Sequence, residues 1–388
     1  MILVLNVGSS SIKFALYAPG EEPTERLRGV LEGIGARPSL RLQTEGARET
    51  LPAPAATRHA DLIEAVLEIV RARAGGAIAV AAHRVVHGGP DYAAPIALDA
   101  AALDRLAALE PLAPLHQPHN LAGVRAAQAA FPDALQVGCF DTAFHRGQPR
   151  LQDLFAIPRR YFDAGVRRYG FHGLSYEYVA GALAAQFPAE ASGRCIIAHL
   201  GAGASMCALN DGRSVGSTMG FSALDGMPMG TRCGRIDPGV LLWMMREKGM
   251  DAAAIERVLY TESGLKGLSG VSGDLRAVEA AGTPDAEEAI AYFVTRAQRE
   301  IGGLAALLEG LDAIVFCGGI GENATRVRGA ICDGLGWLGL TLDPARNAAH
   351  GPRISADSSR VAALVIPTNE ELMIARHAQR LLRARPQS

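Results

Sequence analysis

The chain carries the same short pattern twice, and this repetition limits the folds open to it more than any other feature. Residues 5–14 read LNVGSSSIKF, where four small residues separate a β-rich apolar run from a second run of alternating side chains. Such a stretch predicts a β-hairpin. Residues 195–209 read CIIAHLGAGASMCAL and repeat this order, with Gly201 aligned to Gly8 without a gap. The repetition predicts a duplicated α/β fold of two domains, with their boundary near residue 150.

The hydrophobic pattern of the rest of the chain predicts alternating strands and helices. The segment from about 35 to 57 is rich in Pro, Ala and Thr and is interpreted as loop or weak strands. Apolar runs predict further strands at 77–87, 135–140 and 313–317. Helical periodicity predicts helices at 60–74, 99–109, 120–131, 175–186, 238–248, 285–309 and 370–384.

Composition excludes several classes of partner. The chain has 388 residues and a net charge of −2, so no bulk attraction to nucleic acid or to an anionic membrane is expected. No stretch approaches the ~18 consecutive apolar residues of a membrane span. The six cysteines lack the spacing of a metal site or a C-x-x-C pair, and the N-terminus lacks the features of a signal peptide. We therefore expect reduced thiols and a cytoplasmic protein.

The glycine–serine turn of the first hairpin has the chemistry of an anion site. Backbone N–H groups and the hydroxyls of Ser9 and Ser11 can surround a phosphate, and Lys13 adds a positive charge beside them. Asn6 offers a carbonyl oxygen that could reach a metal-bound water. The turn is not a Walker A loop, which needs Gly-Lys-Ser/Thr leading into a helix. Taken alone, the motif favours an ordinary hairpin turn with a surface lysine over a phosphate site by roughly two to one.

A second glycine-rich segment, VFCGGIGENATRVRGAI, follows a predicted strand and leads into a helix, so phosphate or ribose could approach its backbone closely. Gly319, Gly321 and Ala324 also satisfy the spacing of a dinucleotide fingerprint, with Asp343 about 20 residues further on. An NAD-dependent oxidoreductase is therefore a competing interpretation. We rank it second, because it gives no role to the two hairpins or to the arginines described next.

Two arginines occur at glycine-rich turns. GMPMGTRCGRIDPG places Arg232 in a loop rich in Gly and Pro, and HRVVHGG places Arg84 at the end of a predicted strand. The arginine fork binds several oxygens at once and stabilises the charge on a phosphoryl group in transfer. A single arginine is usually part of a surface ion pair, but two at such turns favour a functional interpretation.

Three further segments place a polar side chain at the end of a predicted element. FDTAFH contributes Asp141 and RRYGFHG contributes His172, each among apolar neighbours. In VIPTNEELMIARHA, Glu370 falls in the first turn of a predicted helix, where it is either a helix-stabilising charge or a ligand for Mg²⁺. The histidines lack the partners and spacing of a zinc site.

Together these segments resemble the acetate kinase family, within the superfamily of acetate and sugar kinases, Hsc70 and actin. LNVGSSSIKF and RRYGFHGLSYEYV are similar to the two family signatures. Further blocks are similar to family segments in matching order, namely HRVVHGG, LAPLHQPHN, CFDTAFH, MGTRCG, GLSGVSGDLR, CGGIGEN and PTNEEL. The resemblance spans essentially the whole chain and implies an α/β fold of two ribonuclease-H-like domains, the actin-like ATPase fold.

The resemblance also implies how the molecule is organised and what it catalyses. It implies a first domain of 1–150 completed by the C-terminal helix 370–388, and a nucleotide-binding domain of 151–369. The active site would lie in the cleft between them, and a homodimer would be the assembly. The implied reaction is the reversible, Mg²⁺-dependent transfer of a phosphoryl group from ATP to acetate, giving acetyl phosphate and ADP by direct in-line attack, with Mn²⁺ able to replace Mg²⁺.

Residues at positions matching the family blocks receive roles by the same resemblance. The metal would be served by Asn6 and Glu370. The reacting centre would consist of Arg84, Asp141, His172 and Arg232. The ATP site would consist of Lys13, Ser9, Ser11, His199, Leu200, Gly201, Ala202, Gly203, Asp274, Leu275, Arg276, Gly319, Ile320, Gly321, Glu322 and Asn323. An aspartate would repel a carboxylate nucleophile, so we expect Asp141 to orient Arg84 or a metal-bound water rather than to act as a base.

Two departures from the family pattern bear on specificity. HLGAG has Ala202 where the family has asparagine, so one hydrogen bond to the nucleotide is lost or supplied elsewhere. Ala223 stands in place of a proline of the acetyl pocket, whose other positions match Val86, Leu115 and Phe171. Val86 keeps the bulk expected for acetate, whereas Ala223 could open room for a methylene, worth ~0.8 kcal/mol if buried. Activity on acetate is the first expectation and on propionate or another short-chain acid the near alternative. An actin- or Hsp70-like ATPase is more distant.

Overall fold

The structure is a computed structural model that describes residues 1–35, 37–52, 54 and 58–385. The chain forms two compact units. The first consists of Met1–Arg146 together with the chain from Asn369 onward, and the second of Gly147–Thr368. Each unit has one β-sheet with helices packed on it, so the α/β class predicted from the sequence is confirmed. Within the described ranges, none of the helices combines the length and the apolar character needed to cross a membrane.

The first unit contains an eight-stranded sheet. Its strands are β1 (Ile2–Val7), β2 (Ser11–Ala18), β3 (Thr24–Glu32), β4 (Ser39–Thr44), β5 (Ala47–Leu51), β6 (Val80–Val85), β7 (Ile96–Ala97) and β8 (Leu135–Phe140). Its helices are α1 (His59–Arg73), α2 (Ala100–Ala107) and α3 (Gln117–Ala130). The order across the sheet is β5-β4-β3-β2-β1-β6-β8-β7.

The second unit contains a five-stranded sheet of order β11-β10-β9-β12-β13. Its strands are β9 (Arg194–Leu200), β10 (Ala204–Asn210), β11 (Arg213–Ser217), β12 (Ala313–Cys317) and β13 (Ala362–Val365). Its helices are α4 (Arg150–Asp153), α5 (Arg159–Asp163), α6 (Gly173–Gln186), α7 (Pro188–Ala191), α8 (Pro238–Lys248), α9 (Ala252–Arg257), α10 (Gly264–Ser269), α11 (Leu275–Ala281), α12 (Pro284–Leu307), α13 (Gly318–Asn323), α14 (Thr325–Asp333) and α15 (Pro344–Ala348).

The last helix, α16 (Glu370–Ala384), belongs to the first unit and packs against β1, β6 and β8. The Asn369 side chain caps it by accepting a hydrogen bond from the Leu372 N–H at 3.0 Å. One face of α16 is buried, including Met373 and Ile374. Residues 386–388, part of the helix expected at 370–388, lie outside the described residues.

The two sheets share one topology. In the first, β3, β2 and β1 pair antiparallel in turn, and β6 and β8 then add in parallel. In the second, β11, β10 and β9 pair antiparallel, and β12 and β13 add in parallel. The predicted hairpins are confirmed as β1–β2 and β9–β10, and the duplicated ribonuclease-H-like fold is confirmed with them.

Local sequence explains most of these elements. The long helices begin and end within about three residues of the positions that periodicity predicts. In the segment from about 35 to 57, strands β4 and β5 confirm the expectation of weak strands, while residues 36, 53 and 55–57 lie outside the described part. Helix α14 confirms the helix expected after the second glycine-rich segment, whereas the short helices α4, α5, α7, α9–α11, α13 and α15 were not predicted. They are too short to show a periodic pattern and depend on tertiary contacts.

The apolar stripe of α1 packs in the core of the first unit. Leu62, Val66 and Val70 are buried together with Leu3 and Leu5 of β1 in one hydrophobic cluster. This burial explains why the α1 sequence, whose apolar residues recur every three or four positions, folds as a helix on this sheet.

In the second unit, a buried arginine holds two segments together. Arg328 on α14 is fully buried, and its guanidinium donates hydrogen bonds to the carbonyls of Gly321 at 2.9 Å and Glu322 at 2.7 Å. It also donates to the side-chain and backbone oxygens of Asn347, each at 3.0 Å. Burial lowers its pKa, although arginine remains protonated at neutral pH. The buried cation is thus stabilised by several fixed dipoles, and α13 is tied to α15.

We expect Arg328→Met to destabilise the second unit by about 3 kcal/mol, because the oxygen acceptors of these four hydrogen bonds lose their donor at once. In thermal unfolding followed by calorimetry this corresponds to a fall in Tm of roughly 10 °C. The matched control is Arg326→Met on the same helix. Arg326 is exposed and pairs with the half-buried Glu287, so its replacement should hardly change Tm. Equal shifts for the two variants would show that the buried network does not stabilise the unit.

Candidate active site

In the first unit, three of the predicted site residues lie together. Arg84 is on β6, and Asp141 follows the end of the parallel strand β8, so the two lie at the same edge of the sheet. Arg84 Nε donates to Asp141 Oδ1 at 2.8 Å and Nη2 donates to Oδ2 at 2.5 Å. Glu370 Oε2 in the first turn of α16 lies 3.8 Å from Arg84 Nε. The bidentate pair fixes the plane of the guanidinium beside a second carboxylate.

Burial and charge act in opposite directions on this pair. The Asp141 side chain is 2% exposed, and burial raises the pKa of its carboxyl while Arg84 opposes the rise. Burial lowers the pKa of the Arg84 guanidinium, but the charges of Asp141 and Glu370 outweigh it and the net shift is upward. Arg84 is therefore held as a cation.

Two amide side chains that the sequence analysis missed fix the segment after β6. Asn120 Oδ1 accepts the Val86 N–H at 2.9 Å, and Asn120 Nδ2 donates to the Val7 carbonyl at 2.7 Å. Gln117 Oε1 accepts the His87 N–H at 3.2 Å, and Gln117 Nε2 donates to the His87 carbonyl at 3.0 Å. Both amides are buried on α3. The QPHN part of LAPLHQPHN contains both residues, but nothing in one sequence shows which backbone groups such side chains hold.

The predicted phosphate turn closes the β1–β2 hairpin. Gly8 N–H donates to the Ser11 carbonyl at 2.9 Å, and Asn6 lies opposite Lys13 in the strand register. Ser9 and Lys13 are exposed, and Ser11 is half-buried. His59 Nε2 at the start of α1 lies 2.8 Å from the Gly8 carbonyl oxygen. The turn is thus held by one hydrogen bond within the hairpin and by its contact with the His59 ring. The serine hydroxyls of the turn and the Lys13 ammonium reach solvent.

Of the four residues expected to form the acyl pocket, two belong to each unit. In the first, Val86 is buried and Leu115 is exposed. In the second, Phe171 is buried and Ala223 is half-buried.

The second unit contains a cavity of about 870 Å³. Eight of the residues expected to bind ATP line it, namely Gly201, Ala202, Asp274, Leu275, Arg276, Gly319, Ile320 and Asn323. Five further lining residues were missed, namely Gly230, Thr231, Gly273, Glu279 and Ala324. The volume is that of a site for a drug-sized or cofactor-sized molecule.

Close backbone packing forms one wall of this cavity. Gly230 N–H donates to the Ala202 carbonyl at 3.0 Å. A Cβ added at Gly230 would lie 2.7 Å from the Gly273 carbonyl oxygen, so no side chain fits there. The segments MGTRCG and GLSGVSGD place these glycines beside predicted site residues. This proximity was the sequence indication that the two glycines belong to the cavity.

The remaining residues expected to bind ATP do not line the cavity. Lys13, Ser9 and Ser11 belong to the other unit. In the second unit the residues outside the lining are His199, Leu200, Gly203, Gly321 and Glu322. Glu322 Oε1 instead accepts backbone N–H groups of Gly318 at 2.8 Å and Thr368 at 3.1 Å. Glu322 therefore ties the start of α13 to Thr368, and a contact with ATP stays a prediction.

His172 and Arg232 converge on the turn between β9 and β10. A Cβ added at Gly203 would lie 3.2 Å from His172 Nε2 and 3.9 Å from Arg232 Nη2. His172 adopts a left-handed backbone conformation, with φ of 57°. Arg232 Nη1 donates to the Ala223 carbonyl at 3.1 Å. Two of the residues expected at the reacting centre thus lie next to the glycine turn that lines the cavity.

The residues expected to serve a metal suit Mg²⁺ by their chemistry. Asn6 and Glu370 offer the amide and carboxylate oxygens that Mg²⁺ prefers, and both lie at the edge of the sheet where β1 and β6 end. No group of three or more His, Cys, Asp and Glu side chains suited to a metal occurs among the described residues.

The geometry contradicts the dinucleotide interpretation of the second glycine-rich segment. Asp343 caps α15 by accepting the N–H groups of Ala345 and Arg346, each at 3.0 Å. In the dinucleotide fold this residue would instead lie at the end of the next strand, facing ribose. Helix α13, which follows β12, lines the cavity. The acidic residue that the fingerprint requires at the end of the next strand is not Asp343, because Asp343 caps α15.

Two ribonuclease-H-like sheets, a glycine-walled cavity and paired arginine and carboxylate groups define a phosphotransferase of the actin-like ATPase class. The model of the acetokinase family matches residues 1–376, and the chain belongs to this family. It is 51% identical to an acetate kinase of Methylocella silvestris over 98% of both chains.

Solved structures agree with this assignment. The fold matches an acetate kinase of Porphyromonas gingivalis with a TM-score of 0.88 and 34% identity, and a propionate kinase of Francisella tularensis with a TM-score of 0.92 and 36% identity. Each alignment covers 98% of this chain and 99% of the other. The prediction of a kinase of this family is confirmed, and the oxidoreductase alternative is wrong.

We expect Gly230→Ala to weaken ATP binding. The added methyl group would force the backbone at Gly273 in the cavity wall outward, and overpacking of this kind costs about 1–3 kcal/mol, or roughly five-fold to 150-fold in Kd. Isothermal titration calorimetry with MgATP measures the change. The matched control is Gly181→Ala on α6, where a Cβ meets nothing within 4 Å and ATP affinity should stay the same. An unchanged Kd for Gly230→Ala would show that ATP binds elsewhere.

Proposed function

We propose that the protein transfers the γ-phosphoryl group of ATP to acetate, giving acetyl phosphate and ADP, and that the reaction is reversible. The observation that carries the proposal is the cavity beside His172 and Arg232, since eight residues expected to hold ATP line it. Membership of the acetokinase family and the close relation to proteins named acetate kinase support the same substrate.

The nucleophile needs no general base. A simple carboxylic acid titrates near ~4, so acetate is an anion at neutral pH. One of its oxygens attacks the γ-phosphorus, a new P–O bond forms, and the bond to the β–γ bridging oxygen breaks, leaving ADP. The obstacle is the approach of one anion to another, so the site has to neutralise charge and align the reactants.

The proposed roles of the polar residues follow from this requirement. Arg232 and the Nε2 of His172 lie beside the same glycine turn and would contact the phosphoryl oxygens. Arg84 would bind the carboxylate, because its guanidinium is kept charged and is fixed in orientation by Asp141. Asp141 thereby acts as a positioning residue for Arg84, which agrees with the expectation that it is not a base.

Mg²⁺ would be held by Asn6 and Glu370 together with phosphate oxygens and water. When bound, the ion neutralises charge on the β- and γ-phosphates. Glu371, the next residue of the PTNEEL motif, also lies in the first turn of α16, and its Oε2 lies 3.4 Å from Arg28 Nη1. This ion pair is closer than the 3.8 Å between Glu370 Oε2 and Arg84 Nε, which supports Glu370 as the ligand.

We also propose the assembly and location that the family implies. Helix α8 has the sequence PGVLLWMMREK, yet none of its residues is buried, and Trp243 is 50% exposed. An apolar helix exposed in this way supports a homodimer that covers it. The six cysteines are free thiols, which supports a cytoplasmic location. The two compact units are proposed to be the two catalytic domains.

Acyl phosphate formation with acetate and with propionate tests the function directly. We expect kcat/KM with MgATP to favour acetate, because Val86 keeps the pocket short. Val86→Ala should shift the acetate-to-propionate ratio about four-fold toward propionate, the equivalent of one buried methylene at ~0.8 kcal/mol. The control is Val85→Ala, which removes a core side chain packed with Phe140 and should leave the ratio unchanged.

The other outcomes are equally informative. A propionate preference in the unmodified chain would replace acetate by the second candidate. Two observations favour that candidate, namely Ala223 in the position of the family proline and the TM-score of 0.92 with a propionate kinase. No acyl phosphate from either acid would reject the proposed function.

The role assigned to Asp141 predicts an order of activities. Asp141→Asn keeps one oxygen to orient Arg84, so kcat should fall about ten-fold to a hundred-fold, whereas Arg232→Ala removes charge from the phosphoryl group and should cost 10³-fold or more, as is typical for such arginines. Initial rates at saturating substrates measure both. The control is Arg235→Ala in the same loop, whose side chain is 60% exposed and which should retain near-normal activity. The reverse order for Asp141 and Arg232 would contradict the role.

A further inference from the structure

Two imidazole rings stack beside the glycine turn of the second unit. The rings of His172 and His199 have centroids 4.4 Å apart and an interplanar angle of 24°. The Nε2 atoms of both face the turn, since a Cβ at Gly203 would lie 3.2 Å from His172 Nε2 and a Cβ at Gly201 would lie 3.9 Å from His199 Nε2. Two cations at this distance would repel each other, so the stacking favours neutral rings.

Each ring is held through Nδ1 by a serine, and each serine by a second hydroxyl. His172 Nδ1 lies 2.8 Å from Ser205 Oγ, and Ser205 Oγ lies 2.5 Å from the Tyr176 hydroxyl. On the other ring, His199 Nδ1 lies 2.8 Å from Ser175 Oγ, which lies 2.8 Å from Thr368 Oγ1. The same arrangement therefore occurs twice: a histidine Nδ1, a serine hydroxyl and a second hydroxyl in one hydrogen-bonded row, which we call a relay.

We propose that Ser205, oriented by Tyr176, is a positioning residue that fixes His172 as the tautomer protonated on Nε2. The proposal rests on the function proposed above, in which Nε2 contacts the transferring phosphoryl group. A neutral ring protonated on Nδ1 could not donate a hydrogen bond from Nε2 to a phosphoryl oxygen.

The direction of the relay follows from acidity and burial. A phenol is a stronger donor than an aliphatic hydroxyl, and an imidazole nitrogen is a good acceptor. Tyr176 is fully buried, and burial raises its pKa well above the usual value, so its proton stays on oxygen. The Tyr176 hydroxyl therefore donates to Ser205 Oγ, and the single hydroxyl proton of Ser205 is donated to His172 Nδ1. The ring proton then resides on Nε2.

Long-range ¹H–¹⁵N correlation spectra of histidine-labelled protein test the tautomer without any turnover. The His172 signal is identified by its loss in His172→Gln. We expect protonated Nε2 and unprotonated Nδ1 in the unmodified chain, and a mixture of tautomers in Ser205→Ala. Ser205→Thr keeps the hydroxyl and should restore the original tautomer. The control is Ser214→Ala, which removes another buried hydroxyl of the same sheet, next to Cys207, and should leave His172 unchanged.

Kinetics provide the second measurement. We expect Ser205→Ala to lower kcat by at least ten-fold, since a wrong histidine tautomer is costly to catalysis, while KM for ATP stays within about two-fold. Tyr176→Phe should give a smaller change in the same direction, and it serves if Ser205→Ala does not fold. A protonated Nδ1 in the unmodified chain, or an unchanged tautomer in Ser205→Ala, would overturn the proposal. Absence of acyl phosphate in the unmodified chain would reject the function, whatever the spectra show.

Discussion

Parallel pairing of the strands that follow each hairpin is the constraint on which both candidate sites depend. Parallel strands place their carboxyl ends at one edge of a sheet, and ligands bind there in open α/β folds. In the first unit, β1, β6 and β8 end at that edge, which brings the hairpin turn, Arg84 and Asp141 together. In the second, β9, β12 and β13 do the same for the glycine turn at 201–203 and the start of α13, which follows β12. One topology therefore supplies two functional edges.

Charges buried at such an edge have to be held by fixed partners, because an unpaired buried charge is expensive. Arg84 is held by two bonds to Asp141, and Arg328 by carbonyl and amide oxygens. The two solutions differ in consequence. The carboxylate of Asp141 balances the positive charge of Arg84 and fixes the orientation of its guanidinium, whereas neutral dipoles stabilise Arg328 without a counter-charge. Orientation is what a guanidinium needs to bind a carboxylate or phosphate with both arms.

The sequence allowed the prediction of features that local pattern encodes. Both hairpins, the long helices and the positions of Arg84, Asp141 and His172 at the ends of elements follow from alternation, periodicity and glycine-rich turns. Most of the cavity lining could be predicted only through the resemblance to a family, and the wall glycines Gly230 and Gly273 were missed. Asn120, Gln117 and Thr231 could not be predicted, since each acts by a hydrogen bond to backbone far away along the chain. An amide in an ordinary helix carries no sign of which carbonyl it will meet.

The left-handed backbone of His172 and the glycine at position 203 have to be explained together. A left-handed conformation in a residue other than glycine costs roughly 1–2 kcal/mol and persists only where the surroundings determine it. Here Ser205 holds the ring and His199 stacks on it. The strained backbone directs Nε2 toward a position where a Cβ at residue 203 would lie only 3.2 Å away. Because residue 203 is a glycine, a ligand atom has room beside His172 Nε2. The conformational cost of the left-handed backbone at His172 is offset only if a ligand occupies this space. The left-handed backbone of His172 and the missing side chain at residue 203 therefore shape the same space beside Nε2.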